Sequence, residues 1–361
     1  MDIPEVRPVI PRFRMESGYC RRCRKRVRSR HPRQVSSATG AAGVSLGLRA
    51  RALAADLKHR LGIPYRKVAE LFRVAWGLEV TASGLCQADE RLAEKAEPVY
   101  PELVEALRDS VAVHVDETGW RVGGQGAWLW VFTGPRGTVY TIDRRRSHEV
   151  VVEVLGPGFS GVWVTDGFRA YDHRALADWS QQKCFAHLLR ELGRLQREKK
   201  RGAVRFPREL AGLLREALAL REEKGRLEPA EFEARLQEWE AKLDARIAEK
   251  RRFTDRDHER LARRLRKQRR HLLRFLRVEG VEATNNRAER ALRPAVLVRK
   301  TGGCQDPSRG PNPCGVGQPA SNPEATGPRD ADLPDIGPDG PGPASSPVPS
   351  PGVGHLITPR R

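Results

Sequence analysis

The chain has little that would direct it into a membrane or out of the cell. No apolar run among its 361 residues approaches the roughly 20 that a membrane-spanning helix needs. The N-terminus, Met1-Asp2-Ile3-Pro4-Glu5, lacks a basic stretch followed by an apolar one, so no export signal is expected. The six cysteines, at 20, 23, 86, 184, 304 and 314, are too few and too scattered for a disulfide framework. Acidic residues are the minority charge, 46 against 66 Lys and Arg, which leaves a net charge of +20. These absences predict a cytoplasmic protein, with no membrane partner, whose excess positive charge answers a polyanion. The length suffices for two or three domains with a buried core.

The composition changes sharply at about residue 304. Residues 305–361 hold 14 of the 26 prolines, no Lys, six acids and four arginines. That tail carries −2 and leaves +22 on residues 1–304. Proline at this density opposes both helix and sheet, so the tail is expected to be disordered. Ahead of it, residues 1–47 are basic and irregular, and 48–108 are helical. Residues 109–304 hold a Val-, Trp- and Thr-rich sheet region and then charged helices, with an insertion at about 190–280.

Cys20-x-x-Cys23 is half of a zinc ribbon. A structural zinc site is tetrahedral and closed, and here only His31 is at hand as a third ligand. The pair either binds Zn²⁺ or is vestigial and unmetallated. Residues 48–95 carry a clearer pattern. Leu53, Leu57 and Leu61 share one helical face, Gly62 ends that helix, and Pro64 opens a second through Val68, Leu71 and Phe72. After Gly77, Thr81 caps a third helix through Leu85, Ala88 and Leu92. Short helices with Gly-containing turns and basic residues at Lys58, Arg60, Arg66, Lys67 and Arg73 fit a helix-turn-helix DNA reader. An ordinary three-helix packing unit fits the same residues.

Val111, Val113 and Val115 alternate with Ala112 and His114, a strand with one buried face that ends at Asp116. Strands follow over Ala127–Thr133 and Gly137–Asp143, then a helix over Ser147–Leu155 and a strand Val162–Thr165 that ends at Asp166. A helix near Arg169–Ala177 and a strand near Gln181–Cys184 complete the set. Three hairpin-linked strands followed by alternating helices and strands predict an α/β protein with a ribonuclease-H-like mixed sheet. In that fold the first and fourth strands are neighbours, so Asp116 and Asp166 face one another. Facing carboxylates repel unless a cation neutralises them. Two Mg²⁺ ions held this way support in-line phosphoryl transfer. Either Asp alone reads more readily as a turn residue, and it is the pair at the ends of these two strands that favours the metal. Far downstream, Asn285 or Asn286 is a natural N-cap for a helix that carries Glu289 in its first turns, beside Arg290 and Arg293.

The blocks His114–Trp120, Trp128-Leu-Trp130, Thr165–Tyr171, Lys183–His187 and Asn285–Pro294 resemble the DDE transposases of the insertion sequence 66 family over roughly residues 1–304. The resemblance implies an enzyme that cuts and joins DNA, with Asp116, Asp166 and Glu289 as catalytic carboxylates and ligands of two Mg²⁺ or Mn²⁺ ions. It matches Cys184 and His187 to a signature whose members act directly or serve as a core Cys and a helix-start His. Asn286 and Arg290 would support catalysis. Arg287, Arg290, Arg293, Arg299 and Lys300 would meet phosphates or form a solvated basic face. The family also implies a zinc segment (Cys20, Cys23) and a DNA-binding helical segment (Arg66, Lys67, Arg73) ahead of the catalytic domain. The implied partners are terminal inverted repeats, target DNA, further copies of the chain and accessory proteins of the element, in the bacterial nucleoid.

Two departures stand out. The family's zinc segment has an earlier knuckle than this chain includes. After Cys304, where the family continues into an apolar helix, the chain turns Pro/Gly-rich. One choice of codons for Pro313–Pro319, read a nucleotide later, encodes His-Ala-Val-Leu-Ala-Ser, so a frameshift near Cys304 is expected. The reading is therefore a DNA transposase or a decayed copy of one. The rivals are a non-catalytic DNA-binding protein and a nuclease or resolvase of the same fold.

Overall fold

The computed structural model describes residues 7–34, 46–248, 253–301 and 357–359. They divide into two compact units. One holds the described residues up to Glu97 together with Pro294 to Thr301; the other holds Pro98–Arg293 with Ile357–Pro359.

In the first unit, β1 (Ser17–Cys20) and β2 (Lys25–Arg28) form an antiparallel hairpin. Helices α1 (Leu48–His59), α2 (Tyr65–Trp76) and α3 (Ala82–Ala96) close around Ala54, Leu57, Val68, Phe72 and Leu85. Thr81 caps α3 as expected, its hydroxyl accepting the Gly84 N–H at 3.0 Å. Of the expected leucine face on α1 only Leu57 is buried: Leu53 sits at the surface and Leu61 lies beyond the helix. Gly62 adopts φ +69°, and a Cβ there would stand 3.5 Å from that of Leu297.

The second unit opens with α4 (Val99–Arg108), which the sequence had grouped with the N-terminal helices. Strands β3 (Ala112–Val122), β4 (Gln125–Gly134) and β5 (Gly137–Asp143) form an antiparallel meander. After α5 (His148–Leu155), β6 (Val162–Thr165) returns parallel to β3, and β7 (Gln181–Lys183) lies parallel to β6. The order is β7-β6-β3-β4-β5, with β3 and β6 adjacent, which is the ribonuclease-H-like arrangement. Close approach fixes the start of β6: a Cβ on Gly161 would collide with the Ser110 carbonyl and the Phe159 ring.

Helices α4 and α5 cover one face of this sheet through Leu103, Leu107, Val151 and Val154 against Val113, Val115 and Trp163. The other face, with Ala112, Val162 and Val164, lies under α6 (Phe185–Glu198), α7 (Arg205–Glu223), α8 (Pro229–Ile247), α9 (Arg256–Gln268) and α10 (Arg274–Arg277). β3 is therefore buried on both faces, not one, and Val111 is exposed outside it. The expected helix near Arg169–Ala177 is two 3₁₀ turns, Arg169–Asp172 and Arg174–Leu176. His173 separates them, and its ring nitrogen accepts the Ala175 N–H, which interrupts the ladder.

Helix α11 (Asn286–Thr301) contains Pro294, where it passes from the second unit to the first. The expected disordered tail lies outside the described residues except for β8 (Ile357–Pro359), which pairs parallel to β5 as a sixth, edge strand.

Candidate active site

The parallel register of β3 and β6 pairs Ala112 with Val162, Val113 with Trp163 and His114 with Val164. Continued two residues, it brings Asp116 level with Asp166. Side chains alternate across a strand, so both carboxylates leave the face that carries Ala112, Val162 and Val164. Asp116 accepts the Glu117 N–H at 2.9 Å and Asp166 accepts the Phe168 N–H at 2.8 Å. The Asp116 carboxyl is pushed up to about 8, first by burial and then by the negative charges of Glu117, Asp166 and Glu289. Asp166 and Glu289 thus both act on Asp116, although the three carboxylates come from the end of β6, α11 and β3.

Asn285 sets the approach of α11. It is fully buried, and its side-chain N–H donates to the Val115 carbonyl at 2.8 Å. Its backbone N–H donates to Cys184 Sγ at 3.1 Å, and its carbonyl accepts the Glu289 N–H at 3.1 Å. Cys184, the N-cap residue of α6, is buried, and burial pushes its thiol up. His187 stands one turn into α6 with Nδ1 3.6 Å from Glu289 Oε1, and Arg190 follows at 3.8 Å. Neither that nitrogen nor that oxygen has a hydrogen-bond partner, and both are shielded from solvent.

The remaining expected residues divide. Asn286 is exposed, Arg287 reaches Glu282 at 3.1 Å, Arg290 is half-buried and Arg293 is exposed. Arg299 and Lys300 belong to the other unit, as do Arg66, Lys67 and Arg73. These last three are exposed on α2, with Lys67 paired to Glu70 at 2.8 Å, whereas Lys58 is buried. Cys20 and Cys23 flank the β1–β2 turn, where the Cys23 backbone N–H lowers the Cys20 thiol. The expected third ligand, His31, instead stacks on Phe13 and accepts the Arg33 N–H.

Several residues at this site carried no sequence signal of their own. Glu117 is buried, bonded by Tyr171 and by Arg146 at 2.8 Å, and the Arg146 guanidinium lies between the rings of Trp128 and Phe168. Lys183 is buried against Asp172 at 2.8 Å; burial lowers it, and Asp172 and Asp166 oppose the shift. His114, beneath Asp116 on the same strand, is pushed down to about 4 by burial first and is held neutral. Glu117, Trp128, Phe168, Tyr171, Lys183 and His114 lie within the blocks that carry the family resemblance, which did not indicate these contacts.

A family profile for the IS66 transposases matches residues 43–312. The chain belongs to the transposase IS66 family. The family acts on DNA, which accounts for the basic charge, and no helix among the described residues is long and apolar enough to cross a membrane. Among curated proteins no relative matches. The oxygen-only carboxylate set and its mutual repulsion suit a hard divalent cation, which this transposase family would use. Among the described residues, no group of three or more His, Cys, Asp or Glu side chains is placed to hold a metal ion.

Proposed function

We propose that this IS66-family chain is a DDE transposase that cleaves the ends of an insertion sequence and joins them to target DNA in a Mg²⁺- or Mn²⁺-dependent reaction. The observation that carries the reading is the parallel β3–β6 register, which brings Asp116 level with Asp166; burial, then Glu117, Asp166 and Glu289, push the Asp116 carboxyl up to about 8. A carboxylate cluster of this kind is destabilised without a cation and becomes a ligand set with one. Asp116, Asp166 and Glu289 would hold the metal, which supplies activation of water or a 3′-hydroxyl and neutralisation of the leaving oxygen. The protein itself aligns the two strand ends through the β3–β6 register and advances Glu289 through Asn285. Arg190 faces Glu289 from α6 at 3.8 Å, and His187 Nδ1 lies 3.6 Å from the same carboxylate oxygen. Cys184 serves as a positioning residue, its sulfur accepting the Asn285 N–H.

In this reading residues 48–108 supply DNA contacts through Arg66, Lys67 and Arg73, and residues 109–304 form the catalytic domain with its helical insertion. Cys20 and Cys23 would bind Zn²⁺ only with ligands from elsewhere. Synapsis of two element ends calls for more than one copy of the chain.

The test is a nicking and strand-joining assay on DNA bearing the terminal inverted repeats, with Mg²⁺, comparing the parent with Asp166→Ala. The variant should lose at least about 100-fold of the parent's rate, roughly 2.7 kcal/mol of barrier. Equal activity in both would refute the catalytic assignment. A silent parent restored by a frame-corrected C-terminus would establish decay of this copy.

A further inference from the structure

A cavity of about 600 Å³ opens in the second unit beside the two 3₁₀ turns that follow Asp166, where they meet α9 and the segment leading to α10. Its volume falls within the range that accepts small organic ligands. Leu176 and Ala177 contribute apolar surface, and Arg169, Arg174, Lys267 and Arg270 ring it with positive charge.

Within the insertion several basic residues are paired with acids: Arg269 with Asp244 at 2.6 Å, Arg277 with Glu240 at 3.1 Å, Arg260 with Asp257 at 2.6 Å and Arg263 with Glu259 at 2.8 Å, while others, such as Lys224 and Arg266, donate to backbone carbonyls. Around the cavity, Lys267 and Arg270 donate to the backbone carbonyls of Asp172 and Ala177, which carry no charge to cancel theirs. Arg169 and Arg174 are exposed, and among the described residues neither forms an ion pair. The one lining acid, Asp172, is already matched by Lys183 at 2.8 Å and by the Gln268 amide at 2.7 Å. The wall residue His271 is pushed down to about 4, by burial first and then by Lys183 and Arg270, in keeping with a positive field.

We infer that this cavity binds a nucleotide of the DNA strand, its phosphate among Arg169, Arg174, Lys267 and Arg270 and its apolar portion over Leu176 and Ala177. The inference rests on the transposase reading for its substrate and goes beyond it in location. Arg169 follows Asp166 by three residues in the chain, so this wall of the cavity is close in sequence to one of the carboxylates. Cations on a rim fit phosphate, and a small apolar floor fits a sugar or base edge.

The test measures fluorescence anisotropy of a labelled single-stranded oligonucleotide with the full chain carrying Asp166→Ala, so that binding is read without cleavage. Adding Arg174→Glu and Lys267→Glu should weaken binding at least tenfold. It should also flatten the salt dependence by about 1.4 in the log–log slope, about 0.7 per lost single-strand phosphate contact. Arg260→Glu with Arg263→Glu, the same charge change on α9 outside the cavity, should weaken it less than threefold. Should the Glu pair unfold by circular dichroism, Arg174→Gln with Lys267→Gln gives the same comparison. Equal losses in both pairs, or none in either, would overturn the inference. Competition by free dAMP in the parent, with oligonucleotide binding unchanged in the cavity variants, would also overturn it by assigning the cavity to a free nucleotide. A failure of strand cleavage in the parent bears on the transposase reading alone, because this readout requires no chemistry.

Discussion

Asn285 donates its side-chain N–H to the carbonyl oxygen of Val115 at 2.8 Å, fastening the start of the helix that bears Glu289 to the strand position just before Asp116. This bond links residues far apart in the chain and fixes the third carboxylate relative to the first. Replacing Asn285 by Leu would leave a buried carbonyl unpaired, at about 1–3 kcal/mol. Thermal unfolding should show that loss, and strand cleavage at a temperature where the variant is folded should fall further than its unfolded fraction explains. Unchanged cleavage would deny Asn285 a positioning role.

Asp166→Ala removes one of the negative charges that act on Asp116. In metal-free buffer the variant should unfold at the same temperature as the parent or a higher one. With Mg²⁺ the parent should gain stability by linkage while the variant gains little. Differential scanning fluorimetry with and without Mg²⁺ checks both statements. A variant less stable than the metal-free parent would contradict the repulsion inferred here.

His271 is pushed down to about 4 in the folded chain, against about 6.5 in an unfolded one. The unfolded chain binds the extra proton first, so stability is intact above about pH 6.5 and is lost as pH falls from there towards 4. Between pH 7 and 5 this group accounts for up to about 2 kcal/mol, and His114 acts in the same direction. Melting temperatures at the two pH values should differ, and His271→Phe should narrow the gap. An unaltered gap would remove His271 as the cause.

In the three-helix unit, Asp89 accepts hydrogen bonds from His59 and from the Tyr65 hydroxyl, each at 2.6 Å. Burial opposes ionisation, yet these bonds hold the carboxyl below its usual range. Its contribution is present above about pH 4 and is lost as pH falls through the folded value. Asp89→Ala should destabilise this unit by about 1.5–3 kcal/mol. Proteolysis within residues 48–97 should accelerate while cleavage in the sheet unit does not.

Much of the architecture was readable from local rules. Thr81 announced its helix because a hydroxyl at an N-cap satisfies a free backbone N–H. The strands Gly137–Asp143 and Val162–Thr165 were readable to the residue from β-branched content between turn residues. Asp116, Asp166 and Glu289 were legible as a set through their blocks and the strand order. Failures came where a distant neighbour overrules a local preference. Lys58 read as a DNA contact but is buried, its ammonium 5.1 Å from the Tyr65 ring. The segment 169–177 had helical residues, but His173 turns its own ring onto the following backbone. Much of the positive charge of the insertion, which composition assigns to a polyanion, is paired with acids of the same chain.

Composition, periodicity and the order of elements carried the α/β class and the helical insertion, because each depends on residues within a few positions of one another, whereas Asp116, Asp166 and Glu289 were picked out as a set by the blocks that resemble the transposase family. Folding alone settled which groups share an environment. The β3–β6 register, the Asn285 bond, the Arg146 clamp on Glu117 and the burial of Lys183 join segments tens to hundreds of residues apart. Such pairings depend on packing and on the removal of water, which no local pattern encodes. The same physics paired many of the cations with acids and left Arg169 and Arg174 at the cavity without an ion pair among the described residues.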